Sequence, residues 1–229
     1  MSVFGVVAMA SCSRRAPSLA TANQAVSQAA PPVASGTLEE NRPPSALVQI
    51  GKSAEEVFDA ARTSQSDVAV ASVGALKESF TDVNVSALKP DLAVQLRSRI
   101  RGLESSINAR QRVQSMDFAN GITRLVADLS APYQVEIPYK IVLLDYYGRQ
   151  LELGIAAARP AMLKQATADV RQTWNSIEPD ILRRGHVDDG RRFSDIVVQL
   201  EEAEHPADFV APARAELAAV GQLEKILKP

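Results

Sequence analysis

Between residues 46 and 229 the apolar residues recur at spacings of three and four, and most of the prolines stand between the periodic stretches or near their starts. That pattern gives a helix one buried stripe; a half-buried strand needs strict alternation instead. Composition points the same way: the chain is 46% hydrophobic but only 5% aromatic, with few of the bulky aromatic residues that fill sheets. Its 229 residues suffice for one domain with a tail, or for two small ones. The expected fold is therefore all-α: an elongated antiparallel helical bundle over 46–229, closed by two shorter C-terminal helices.

The stripes define the expected helices. Ser53-Ala54-Glu55-Glu56 has the form of a capping box, followed by Val57, Ala61, Ser64 and Val68, so a first helix is predicted to start there and run to about Val83. Pro90 opens a second, with Leu92, Leu96, Ile100, Leu103 and Ile107, then Ile122, Leu125, Val126 and Leu129 before Pro132. Unbroken, it would span roughly 60 Å at 1.5 Å per residue, and Asn108–Arg112 or Gly121 would bend it. Pro138 opens a third helix. Ile141, Leu144, Gly148, Leu151 and Ile155 mark one side of it, with Leu143, Tyr146 and Leu153 on the other, so this helix should be central. Pro160 starts a fourth, bent at Pro179 and capped by Gly185, with Leu163, Ala166, Val170, Trp174, Ile177 and Ile181 inside. Asp188 or Asp189 caps a fifth carrying Phe193, Ile196, Val197 and Leu200. Pro212 lies at the start of a sixth with Leu217, Val220, Leu223 and Leu227.

The N-terminal segment has a different character. Val3 to Met9 is a short apolar run, too short to cross a bilayer, and Met9-Ala10-Ser11 places small residues directly before Cys12, the single Cys. Met9-Ala10-Ser11-Cys12 resembles the lipobox of bacterial lipoproteins, with Met9 in place of Leu and Ser11 in place of Gly or Ala. The resemblance implies that residues 1–11 are a signal-like segment, shortened at its start and without a Lys or Arg, that is removed. It also implies that Cys12 becomes the acylated N-terminus, inserting palmitate-type chains into a membrane. Ser13 at the next position, rather than Asp, implies sorting to the outer membrane. Residues 12–45, rich in Ala, Ser, Pro and Gln, then read as a lipidated, disordered tether that cannot offset its ordering entropy by burial. Five of the 13 Pro lie in this stretch.

On the third helix Asp145, Arg149 and Glu152 form a charged strip between the two apolar sides, with Arg149 four residues after one carboxylate and three before the other. The strip is either a structural ion pair at a helix seam or a ligand clamp gripping an anion through the guanidinium. A pocket open at Arg149 would favour the clamp; a strip sealed by neighbouring helices would favour a scaffold. Asp145-Tyr146-Tyr147-Gly148-Arg149 also resembles a stretch of helical-bundle bacterial lipoproteins, which brings no activity with it. His186, Asp188 and Asp189 share one loop and are weak candidates for a metal site, since no second His lies at helical spacing. Trp174, on an apolar stripe, reads as core. Arg97, Arg99, Arg101, Arg110 and Arg112 make the second helix locally basic, read as a solvated surface.

Lys and Arg total 25 against 27 Asp and Glu, a net charge of −2, so no basic surplus exists to bind nucleic acid. No Gly-x-Ser-x-Gly, no Gly-rich phosphate loop and no Cys-rich zinc motif occurs, so neither a cofactor nor a catalytic residue is assigned. The expected function is that of a cell-envelope lipoprotein on the periplasmic face of a bacterial membrane, acting without catalysis through protein contacts. The alternatives are a small-ligand or anion-binding helical protein using Arg149, a helical enzyme outside these motifs, and a cytoplasmic location.

Overall fold

In the computed structural model, residues 42–85, 88–133 and 139–227 are described. They form eight α-helices and no strand: α1 Ser45–Arg62, α2 Ser66–Thr81, α3 Pro90–Asn108, α4 Arg112–Ser130, α5 Tyr139–Ala156, α6 Pro160–Arg183, α7 Val187–Glu202 and α8 Val210–Leu227. Cys12, the lipobox-like residues, most of the tether and Pro138 lie outside the described residues.

Two of the long helices expected from periodicity are each two helices, because the chain reverses at tight turns. After α1, the Gln65 N–H donates to the Ala60 carbonyl at 2.7 Å and the Ser64 N–H to Ala61 at 3.2 Å, with Ser64 at φ 62°. This is a Schellman turn, which satisfies the last carbonyls of a helix by placing one residue in the left-handed region. The same turn closes α3, with Gln111 bonded to Ser106 and Arg110 at φ 55°, and α5, with Arg159 bonded to Gly154 and Ala158 at φ 50°. A fourth closes α6 at Gly185, φ 89°, the one position where the expected cap is a glycine. The polar stretch Asn108–Arg112 is thus the reversal between α3 and α4, whereas Gly121 sits within an uninterrupted α4.

Other local expectations are corrected. Ser53 is not an N-cap but a fully buried residue inside α1, since Leu47 and Ile50, both fully buried, extend the stripe of Val57 upstream and the helix with it. Asp188 and Asp189 do not cap α7. His186 precedes the helix, no side chain bonds to its free amides, and the two carboxylates lie in its first turn, where the helix dipole favours them. Pro179 lies inside α6, which runs on to Arg183 as the stripe through Ile181 implied. The last two helices have 16 and 18 residues, against 24 in α6.

The helices close into two rings of four consecutive members. In the first, α1 packs on α2 and α4, and α3 on α2 and α4; in the second, α5 packs on α6 and α8, and α7 on α6 and α8. Each ring has its own apolar core. Leu47, Phe58, Leu96, Leu103, Met116 and Ile122 fill the first, and Leu144, Leu151, Val170, Trp174, Phe193 and Val220 the second. α4 packs on α5 and joins the rings, so α5 serves both: Ile141, Leu144 and Leu151 enter the second core while Leu153 enters the first. The Asn120 side-chain amide, fully buried, donates to the Tyr146 carbonyl at 3.1 Å across that joint. Trp174 is core, as its stripe implied. It stacks on Phe193 at 4.3 Å, and its indole N–H donates to Ser194 at 2.9 Å.

Candidate functional site

The charged strip of α5 faces α1, and the two helices interleave their charges. Arg149 Nε donates to Asp145 Oδ2 at 2.9 Å, and its Nη1 lies 3.5 Å from Asp59 Oδ1. Asp59 Oδ1 also lies 3.5 Å from Arg62 Nη2, and Arg62 Nε lies 3.3 Å from Glu152 Oε2. The order Asp145, Arg149, Asp59, Arg62, Glu152 therefore alternates in sign from one end to the other. Sequence placed Arg149 between Asp145 and Glu152 on one helix; in the fold Asp145 keeps it, while Glu152 pairs with Arg62. The Arg149 side chain is 11% exposed and its guanidinium carbon stands 5.2 Å from the centre of the Phe58 ring. Asp59 and Phe58 thus cover it, a cation over an aromatic face with its Nε and Nη1 engaged.

Two further carboxyl groups, neither of them expected at this site from sequence, complete this seam. Glu216 of α8 is fully buried against α5, and neither of its carboxyl oxygens has a hydrogen-bond partner. It fits because position 148 is Gly: a Cβ there would stand 2.0 Å from Glu216 Oε2 and 2.6 Å from Leu217 Cδ2. Burial holds the Glu216 carboxyl well above the usual range, Asp145 and Glu152 push it further, and Arg149 opposes. Glu55, one turn before Asp59 on α1, is pushed up to about 7 by burial first, with Asp145, Glu224 and Asp59 adding and Arg149 opposing. Burial likewise raises Glu152, against the pull of Arg62. Several acids around few cations thus hold their protons more tightly than in water. The only available signal for Glu216 in the sequence was its place among Ala213, Val220 and Leu223 on the inner side of α8.

Beyond Glu55 lies a cavity of about 460 Å³ between α1, α4 and α5. Val48, Val126, Ala127 and Val142 make its apolar walls, Glu55 is also on its wall, and Arg42 and Lys52 line it as well. Tyr139, also on the wall, donates its hydroxyl to Asp128 Oδ1 at 2.5 Å.

The remaining candidates stay apart from this seam. His186 Nδ1 lies 3.9 Å from Asp189 Oδ2, Asp188 is exposed, and among the described residues no group of three or more His, Cys, Asp or Glu is placed to hold a metal ion. Of the basic residues of the second predicted helix, Arg99 lies 3.8 Å from Asp117 and Arg97 stacks 5.9 Å from the Phe80 ring centre. Among the described residues no helix is long and apolar enough to cross a membrane. Comparisons with protein-family models, with curated proteins and with solved structures match nothing to this chain.

Proposed function

We propose that the chain is a cell-envelope lipoprotein: an acyl anchor at Cys12, a tether, and a helical domain on the periplasmic face, at the outer membrane, that works without catalysis through contacts with an envelope protein. The observation that supports a non-catalytic domain is the closed seam. Its most chemistry-bearing residue, Arg149, is occupied by Asp145 and Asp59 and covered by Phe58, which is how a structural ion pair is built. The anchor rests on the Met9-Ala10-Ser11-Cys12 resemblance. Two or more acyl chains give stable attachment where one gives marginal binding. Mass spectrometry of the N-terminus from natively expressed protein tests it: diacyl or triacyl Cys12 is the expected species, and intact Met1 on protein recovered free of membrane would overturn the reading. Pull-down from the native envelope would then identify the partner.

A second reading, small-ligand binding, is favoured by the cavity beside Glu55. Its volume of about 460 Å³ falls within the usual ligand range, and apolar walls with a few convergent polar groups are the usual make-up of such sites. In this reading the residue to test is Glu55 rather than Arg149.

A further inference from the structure

Where the Arg62–Glu152 end of the charged seam meets the start of α8, a cleft of about 250 Å³ is lined by Arg62 of α1, Arg112 and Met116 of α4, Glu152 and Ile155 of α5, and Arg214 of α8. Three guanidinium groups share it with one carboxylate. Arg62 is engaged, with Glu152 at 3.3 Å and Asp59 at 3.5 Å. Arg112 and Arg214 are exposed, and among the described residues neither makes an ion pair. Met116, fully buried, forms an apolar floor, and low-dielectric walls focus the field of charges set around them. Like charges gathered at such a place repel unless an anion lies between them.

We propose that this cleft is a binding site for a phosphate-type oxyanion, held by Arg112 and Arg214 with Arg62 behind them. Three planar forks, arriving from three helices, suit a tetrahedral anion with several oxygens; a single carboxylate is satisfied by one fork. The volume limits the ligand: usual small-molecule pockets hold roughly 300–1,000 Å³, so this one takes the phosphate group and little else. Glu152, the one carboxylate of the cleft, is held by Arg62 at 3.3 Å, which leaves Arg112 and Arg214 to face the ligand. Because α1 and α4 belong to one ring and α5 and α8 to the other, a bound anion also ties the rings together. The site stands independently of the anchor at Cys12, and a phosphate group reaches it either as a free solute or as a phospholipid headgroup.

The test titrates inorganic phosphate into the full chain by calorimetry, with ionic strength matched by chloride, and follows the thermal midpoint in parallel. Saturable binding is expected, with a rise in the midpoint. Arg112→Gln and Arg214→Gln should each weaken binding by roughly tenfold, the loss of about one charge-assisted contact. Both are exposed and among the described residues make no ion pair within 4 Å, so their midpoints in chloride should stay close to the parent's, and Arg101→Gln, on α3 outside the cleft, should bind as the parent does. Absence of saturable binding overturns the proposal, as does a loss that is equal in Arg101→Gln. Vesicles of phosphatidylglycerol identify the source. Capture that is lost in Arg112→Gln and displaced by phosphate points to the headgroup, whereas tight phosphate binding without vesicle capture points to a free anion.

Discussion

Arg149 and Glu216 face each other's surroundings across α5 but respond to substitution in opposite directions. Removing the guanidinium in Arg149→Ala leaves Asp145 and Asp59 together beside Phe58, and breaking a largely buried pair costs about 3 kcal/mol or more. A urea titration should therefore show a lower midpoint, whereas an unchanged midpoint would mean that the strip is solvated and would favour the clamp reading. Glu216 carries the reverse sign. Its folded carboxyl holds the proton above the unfolded value of about 4.3, so the folded state binds more protons as pH rises past that value. Its contribution to stability is complete below about pH 4 and is lost progressively above it. Glu216→Gln cannot ionise, so its stability relative to the parent should grow as pH rises above the unfolded value. Urea midpoints across that range check this, and a difference constant with pH would show that Glu216 does not titrate with folding. Glu55→Gln should remove a second slope, confined to the interval between the unfolded value of about 4.3 and about 7.

At the level of the helices, the turns decide what was legible. Gly185 could be read as a cap because glycine is the usual occupant of the left-handed position, and that turn is where it was expected. Ser64, Arg110 and Ala158 occupy the equivalent position in three other turns and carry no such signal, so α1 with α2 read as one helix and α3 with α4 as one long, bent one. The apolar spacing could be counted on past the first reversal, but Val68, which it placed on the buried stripe, is 47% exposed on α2. The two-sided pattern of α5 was legible because Leu153 and Leu151 really do face different cores. Glu216 was not, because an acid on an apolar stripe reads as a break in it rather than as buried. The three non-glycine turns hold a residue where a Cβ is strained. Ser64→Gly, Arg110→Gly and Ala158→Gly should each stabilise by about 0.5–1 kcal/mol, the relief of the left-handed conformation less the extra freedom of the unfolded chain. Thermal midpoints of the single variants check this, together with the Ser64→Gly/Arg110→Gly pair, whose two sites line one cleft.

For the whole molecule, the question is whether two cores unfold as one. α5 is the shared wall, and Leu153, fully buried in the first core, is its deepest reach into the other ring. Leu153→Ala should cost about 2–5 kcal/mol from lost burial and the cavity left behind. If the joint couples the rings, hydrogen exchange should speed up in α2 and α3 and equally in α6 and α7; faster exchange in the first ring alone would show that each melts by itself. The connectivity has a consequence in time as well. Each ring is made of four successive helices, so a chain emerging N-terminus first can complete the first ring while the second is still being delivered. What that early intermediate lacks is Leu153 and the α5 charges that answer Asp59 and Arg62, leaving one side apolar and two opposite charges waiting. The late-arriving α5 finds its register on a surface already built, and the remaining helices then assemble on α5 rather than in open solution.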